Sequence, residues 1–109
     1  MLMNIQSFIC VTMEMKKKES GRTGKFVFYE DNEDVADISW LVNDESNYVV
    51  DHTTVSEKMA GKGLGVKLLE AVVNMARENN KKIIAGCPFV RKMFERNKDK
   101  YADVWEIRD

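Results

Sequence analysis

The sequence has few of the residues on which metal sites, disulfide frameworks and breaks in regular structure depend. Its 109 residues include two cysteines, one histidine and one proline. The cysteines, Cys10 and Cys87, lie far apart and belong to no CxxC or Cys/His cluster, so no metal site is predicted. One proline and six glycines argue against a collagen-like chain or a Pro/Gly-rich disordered one.

The sequence also lacks an excess of charge and a long apolar run. Seventeen Lys and Arg against eighteen Asp and Glu leave a formal net charge of −1, which argues against a basic nucleic-acid-binding surface. No stretch approaches the roughly 18 apolar residues of a transmembrane helix, and residues 1–4 do not begin a signal peptide. We therefore expect a cytoplasmic protein with reduced thiols and neither nucleic-acid nor membrane partners.

The length of the chain predicts one domain over residues 1–109, with a core large enough to fold without metal or disulfides. Residues 1–23 are expected to form a variable N-terminal strand and loop. Apolar, β-branched runs predict strands at 5–13, 25–30, 35–42 and 48–55. The polar segments at 15–24, 31–34 and 43–47 are expected to be a loop and two turns. Strands joined by short turns indicate an antiparallel meander.

The hydrophobic period then changes from that of a strand to that of a helix. Over residues 63–80 the apolar residues recur at helical spacing, and Asn80 suits the left-handed conformation in which helices often end. A short strand is predicted at 82–86, a helix opening at Pro88, and a final strand or turn at 101–107. The sequence thus predicts an α+β domain with a mixed sheet, a β-meander followed by β-α-β-α.

Three glycines at alternate positions, Gly61, Gly63 and Gly65, follow the last meander strand and open the predicted helix. Without a Cβ these residues allow a ligand to approach the backbone closely. The unpaired N–H groups and the positive dipole end of the helix attract anions, and Lys58 and Lys62 add charge. The segment predicts a phosphate or pyrophosphate site, and a tight strand-to-helix turn without a ligand is the alternative.

Two well-known phosphate motifs do not fit this segment. A P-loop needs Ser or Thr after its Gly-Lys pair, but Gly63 follows Lys62. A dinucleotide fingerprint needs a third glycine where Val66 stands, and it belongs to a parallel βαβ unit instead of a meander.

The segment from Val55 to Gly65 resembles the acetyl-CoA pyrophosphate loop of the GNAT N-acetyltransferase superfamily. That loop reads Gln/Arg-x-x-Gly-x-Gly/Ala, with a valine five places earlier. Val55, Gly63 and Gly65 match it, whereas Ala60 stands where the superfamily has Gln or Arg. Over roughly residues 24–105 the chain is similar to the small YjdJ-type branch, through His52-Thr53, Ala76-Arg77-Glu78, Cys87-x-Phe89-Val90 and Tyr101-Ala102-Asp103.

The resemblance implies a GNAT-like fold, with acetyl-CoA or coenzyme A as cofactor. It implies that the strand residues Thr53, Thr54 and Val55 contact the pantetheine arm, and that Cys87 and Pro88 lie near the thiol end. It implies a pyrophosphate site made by Ala60, Gly61, Lys62, Gly63, Leu64 and Gly65. The acceptor would be an amine of a small molecule or peptide, unidentified here, and we expect a monomer or weak homodimer.

Two residues are candidates for catalysis. His52 carries the single imidazole of the sequence and could act as general base; a packing or hydrogen-bonding histidine is the alternative, and Asp51 and Glu57 are rival bases. Cys87 precedes Pro88 and is expected at a helix N-terminus, which stabilises a thiolate. It could contact the pantetheine sulfur, pack in the core or carry the acyl group covalently.

The remaining candidates have simpler interpretations. Cys10 is expected to pack in a strand. Tyr101 could protonate the departing thiolate, or it could simply pack on the core. For the whole chain, the leading hypothesis is an acetyl-CoA-dependent N-acetyltransferase. A CoA- or acyl-CoA-binding module with little or no transfer is the second, and a partner-binding domain with an empty glycine turn is the third.

Overall fold

The computed structural model describes residues 13–107, which form one five-stranded sheet and three helices. The strands are β1 (Met13–Ser20), β2 (Thr23–Glu30), β3 (Glu33–Val42), β4 (Tyr48–Val55) and β5 (Ile83–Ala85). The helices are α1 (Leu64–Asn79), α2 (Pro88–Arg96) and α3 (Lys98–Tyr101), and a 3₁₀ turn covers Glu57–Met59. Of these helices, none is long and apolar enough to cross a membrane.

The strand order is β1-β2-β3-β4-β5. The first four strands pair antiparallel, and β5 pairs parallel to β4 after the α1 crossover. This is the predicted meander followed by a β-α-β unit, so the α+β prediction is confirmed. The bounds of β4 match the prediction, and α1 ends at Asn80 with φ +56°, as its side chain predicted.

The prediction of a polar loop at residues 15–24 is wrong, because most of this segment is the edge strand β1. All eight of its residues pair with β2, and the turn narrows to Gly21 and Arg22. Its charged side chains are exposed on both faces, so no apolar alternation marks the strand. The strand predicted at 5–13, and Cys10 with it, lies outside the described residues except for Met13.

Two other boundaries differ from the prediction. The turn expected at 31–34 shortens to Asp31 and Asn32, both with positive φ, which suits a two-residue hairpin turn. The final segment begins as the last residue of α3, and only Trp105 then forms a bridge, parallel to Ile83. Its hydrogen bonds come from a strand that is distant in sequence, which explains why local patterning did not place it.

The core lies between one face of the sheet and the helices. The apolar stripe predicted for α1 is buried there, with Leu68, Leu69 and Val72 fully inaccessible, against Ile38 and Trp40 of β3. We call this side the helix face of the sheet and the opposite side its outer face. Burying such side chains is the main favourable term in folding, so this layer holds β4 and the start of α1 in fixed positions.

Candidate functional site

The site is built around an edge of β4 that β5 leaves unpaired. β5 pairs with Tyr48–Val50 only, and the N–H of Gly86 then donates to the carbonyl of Val50 at 2.8 Å. A Cβ at Gly86 would lie 2.8 Å from that carbonyl oxygen, so only glycine permits this approach. Beyond it the chain turns into α2, and within residues 13–107 no strand covers this edge of residues 51–55.

A β-bulge at Asp51 decides which side chains of β4 face the helices. Trp40 is paired with Val50, but its neighbour Ser39 is paired with His52, so Asp51 is an extra residue. Side chains alternate along a strand, and one extra residue exchanges the two faces. After the bulge, the helix face therefore carries Thr53 and the outer face carries His52.

The pairing partners confirm this assignment. Thr53 and Val55 lie opposite Ile38 and Ala36, both buried under the helices. His52 and Thr54 lie opposite Ser39 and Asp37 on the outer face. The strand thus separates the predicted site residues into two groups, on opposite faces of the sheet.

The glycine turn has the backbone geometry that the sequence predicted. Gly61 and Gly63 have φ of +83° and +76°, and a Cβ at either would meet no chain atom within 4 Å. Lys67 N–H donates to Gly63 carbonyl at 3.1 Å, which is the first bond of α1. The N–H groups of the preceding Leu64, Gly65 and Val66 therefore have no acceptor within the helix, and no side chain caps it. The space beside Gly61 and Gly63 is open, which suits an anion site.

Gly65 has a second role, in packing. A Cβ there would lie 3.0 Å from the Cζ of Phe89 in α2, so the glycine brings the starts of the two helices together. Phe89, Val55 and Leu64 line a groove of about 300 Å³ beside the turn. Nothing local in the sequence indicates the contact between Phe89 and Gly65, because the two residues are distant along the chain.

Lys62 contributes more positive charge near the turn than Lys58 does. Lys58 Nζ lies 2.7 Å from the Glu33 carboxylate of β3, and this hydrogen bond raises the pKa of Lys58 and lowers that of Glu33. Lys62 is exposed on the turn itself. Ala60, also exposed, has an ordinary extended conformation, so larger side chains fit there without strain.

Cys87 occupies the helix N-terminus that the sequence predicted. It is the N-cap residue of α2 with Pro88 at the first helical position, and it carries a free thiol that is 6% exposed. Its Sγ lies 3.4 Å from Thr53 Oγ1, across the open edge of β4. The structure therefore brings Thr53, Val55, the glycine turn, Cys87 and Phe89 to the helix face.

The candidate bases lie on the other side. His52 Nε2 is 2.7 Å from Thr54 Oγ1, and Ser39 Oγ donates to Asp51 Oδ1 at 2.9 Å. His52, Thr54 and Asp51 are exposed. Glu57 is also exposed, in the 3₁₀ turn before the glycines. In the described part of the chain, no three His, Cys, Asp or Glu residues form a group that could hold a metal ion.

Tyr101 is occupied by a contact away from the glycine turn. Its buried hydroxyl donates to Glu70 Oε2, in the middle of α1, at 2.6 Å. Burial is the main cause that raises the pKa of Tyr101, and the tyrosine hydroxyl lowers the pKa of Glu70. This geometry favours the packing role over the role of an acid for the leaving thiolate.

The comparisons with known proteins agree with this geometry. The model of the GCN5-related N-acetyltransferase family matches residues 25–104. The solution structure of a GCN5-like protein from Staphylococcus aureus is 40% identical, with a TM-score of 0.67, over 86% of this chain and 90% of that one. No curated protein has a sequence that matches this chain significantly.

More distant structures share the fold. A GNAT acetyltransferase from Elizabethkingia anophelis with acetyl-CoA bound is 15% identical, with a TM-score of 0.59, over 81% of this chain and 74% of that one. A ribosomal-protein-alanine N-acetyltransferase from Brucella melitensis is 17% identical, with a TM-score of 0.57, over 83% and 66%. The family match covers most of the chain and includes the bulged strand, the glycine turn and Cys87. The chain therefore belongs to the GCN5-related N-acetyltransferase family.

Proposed function

We propose that this protein transfers an acetyl group from acetyl-CoA to the amine of a small molecule or peptide. The observation that carries the proposal is the continuity between the glycine turn and the open edge of β4. The turn offers unpaired N–H donors to a pyrophosphate, and Val55 lines the groove beside it. Thr53, two residues earlier on the same face of β4, contacts Cys87. A long ligand with a phosphate at one end and a thioester at the other suits this path.

Each end of the path has its own role in the proposal. Ala60 to Gly65 hold the pyrophosphate, chiefly through backbone N–H groups, and Lys62 adds charge. Thr53 and Val55 contact the pantetheine arm on the helix face. Thr54, which the resemblance also implied, lies on the outer face, so its backbone is the part that could contact the arm. Cys87 and Pro88 lie where the thioester would end.

The chemistry requires a neutral amine at the thioester carbon. The amine nitrogen attacks the carbonyl carbon, the C–S bond breaks, and CoA leaves as a thiolate that takes up a proton. His52 is the proposed general base for the proton that the amine loses, with Asp51 and Glu57 as rivals. His52 lies on the outer face of β4, so in this proposal it would act on the amine at the open edge of the strand.

Calorimetric titration with acetyl-CoA tests the cofactor site. Ala60→Glu places a negative charge beside the pyrophosphate without straining the backbone, and Ala60→Gln is its uncharged match in size. We expect Ala60→Glu to bind about tenfold more weakly than Ala60→Gln, because like charges repel at this distance. Equal affinities for the two variants would contradict the proposed loop.

Release of free CoA, measured with a thiol reagent in the presence of a panel of amines, tests the transfer. Amine-dependent release supports an acetyltransferase. Tight binding with no release for any amine favours the CoA-binding module instead.

We also propose that the chain works as a single domain in the cytoplasm, as a monomer or a weak homodimer. Sedimentation of the protein over a range of concentrations measures the oligomeric state, and a stable higher oligomer would contradict the proposal.

A further inference from the structure

The outer face of the sheet carries a groove that the cofactor path does not use. It has a volume of about 390 Å³ and crosses the sheet from β1 to β4. The residues that line it include Lys18, Lys25, Ser39 and Asp51. Its size falls within the range of small-molecule sites.

The register of the strand pairing places the polar side chains of the groove in one row across the sheet. Lys18 is paired with Lys25, Lys25 with Ser39, and Ser39 with His52. Residues directly opposite one another in a sheet share a face. Lys25 and Ser39 alternate with Phe26 and Trp40, whose rings pack together on the helix face, so the row lies on the outer face.

At β4 the row ends in a negative charge, the carboxylate of Asp51, which a hydrogen bond holds in one orientation. Ser39 donates to one oxygen of Asp51, which holds the carboxylate over the groove beside His52. The bulge that brings Asp51 and His52 to this face lies where β5 leaves β4. An ammonium group attracted to Asp51 would therefore lie near the open edge of β4, on the face opposite Thr53 and Cys87.

The other end of the row is positive. Within residues 13–107, the half-buried Lys25 makes no ion pair or hydrogen bond through its ammonium group. Its neighbour Lys18 has its ammonium 5.3 Å from the centre of the Tyr29 ring. Glu19, which also lines the groove, is engaged with Lys17 at 3.6 Å. Lys25 is thus the cation that remains for a ligand.

We propose that this groove binds the acyl acceptor, and that the acceptor is a small amine with a carboxylate at its other end. The amine would lie at Asp51 and His52, and the carboxylate at Lys25. β2 and β4 are separated by two strand spacings, or about 10 Å, which sets the distance between the two charged groups. The proposal rests on the proposed function, because it assigns the second substrate of the same site.

Three amines of equal chain length test the proposal. 6-Aminohexanoate has the carboxylate, hexylamine has no second charge, and 1,6-diaminohexane has a second cation. With acetyl-CoA saturating, we expect kcat/KM to be about tenfold higher for 6-aminohexanoate than for hexylamine, the gain typical of a charge-assisted hydrogen bond. Equal values, or a preference for the diamine, would overturn the proposal.

Variants of Lys25 locate the effect. Lys25→Gln should remove the preference for 6-aminohexanoate over hexylamine without changing the affinity for acetyl-CoA, and Lys25→Arg should retain most of the preference. Lys98→Gln, an exposed lysine of α3 outside the groove, is the matched control. A preference that survives in Lys25→Gln would show that the carboxylate binds elsewhere.

Binding without turnover separates this proposal from the proposed function. In the CoA complex of the protein, titration with 6-aminohexanoate should shift the backbone amide resonances of Lys25, Ser39 and His52, and Lys25→Gln should abolish the shifts. If these shifts appear while no amine is acetylated, the groove is supported and the transfer is not. If amines are acetylated and these resonances do not move, the groove is wrong and the transfer stands.

Discussion

The thiol sulfur of Cys87 and the hydroxyl oxygen of Thr53 lie 3.4 Å apart, across the gap that β5 leaves beside β4. This contact joins the N-terminus of α2 to the strand that carries the proposed pantetheine site. The thiol is only 6% exposed, although it adjoins the open edge of the sheet. A ligand in the gap would contact both residues.

The reactivity of Cys87 tests the direction of the cofactor path. In a Cys10→Ser background, we expect iodoacetamide to label Cys87 slowly, because the thiol is buried, and CoA to slow the labelling further. Thr53→Ala should speed labelling of the free protein, since it removes the neighbouring side chain. Thr54→Ala on the outer face is the control and should have no effect. Mass spectrometry measures the rates, and labelling that CoA leaves unchanged would contradict the path.

The same samples distinguish the roles of the thiol. Incubation with acetyl-CoA should leave an acetyl group on Cys87 if the transfer is covalent. Protection without acetylation would support a contact role, with direct transfer to the amine.

Substitutions on the outer face of β4 test which residue is the general base. His52→Ala should lower turnover by about 10²–10⁴-fold, the usual contribution of a general base, with little change in affinity for acetyl-CoA. Thr54→Val removes only the hydrogen bond to His52 and should have a smaller effect. Turnover near that of the native protein in His52→Ala would leave the histidine a structural role and favour Asp51 or Glu57, which Asp51→Asn and Glu57→Gln would then separate.

The contact between Gly65 and Phe89 predicts a cost for a single methyl group. Gly65→Ala places a Cβ 3.0 Å from the Phe89 ring, and we expect it to lower the free energy of unfolding by about 1–3 kcal/mol. Adding Phe89→Leu should recover part of that loss. Denaturant unfolding measures both, with the exposed Val66→Ala as control. A fully stable Gly65→Ala would show that the glycine serves only the ligand.

The hydrogen bond from Tyr101 to Glu70 predicts a pH-dependent contribution to stability. Tyr101→Phe should lower the free energy of unfolding by about 1.5 kcal/mol at neutral pH, because Glu70 loses a charge-assisted donor. The bond holds the pKa of Glu70 below its ordinary 4.5. This contribution is therefore complete above pH 4.5 and is lost as the pH falls through the lower folded value.

Unfolding of the native protein and Tyr101→Phe across this range measures the effect. The two curves should converge at acid pH. In a Glu70→Gln background, adding Tyr101→Phe should change the free energy of unfolding by the same amount at every pH, since the amide does not titrate. A gap of constant size from neutral to acid pH would contradict the prediction.

Several features followed from local chemistry alone. A run of β-branched residues predicted β4 to its exact bounds, Asn80 ended α1 in the left-handed conformation, and Pro88 made Cys87 an N-cap. The alternating glycines predicted the turn and its free N–H donors. Each of these signals acts within a few residues of the chain, so the sequence contains it in full.

β1 escaped prediction because an exposed edge strand has no apolar face to reveal it. Its charged side chains satisfy both faces with water, and its structure depends on backbone pairing with β2. Trp105 also depends on backbone pairing, because within residues 13–107 its bridge is to Ile83, which is distant in sequence.

Only the tertiary structure decided which site residues lie on which face of the sheet. The family resemblance carried by the sequence predicted that His52, Thr53 and Cys87 belong to one region, but the sequence contains no signal for the bulge at Asp51. That bulge arises from the pairing of β3 with β4, where one residue of β4 has no partner. Because side chains alternate with a period of two, this one unpaired residue sends Thr53 to Cys87 and His52 to the opposite face of the sheet.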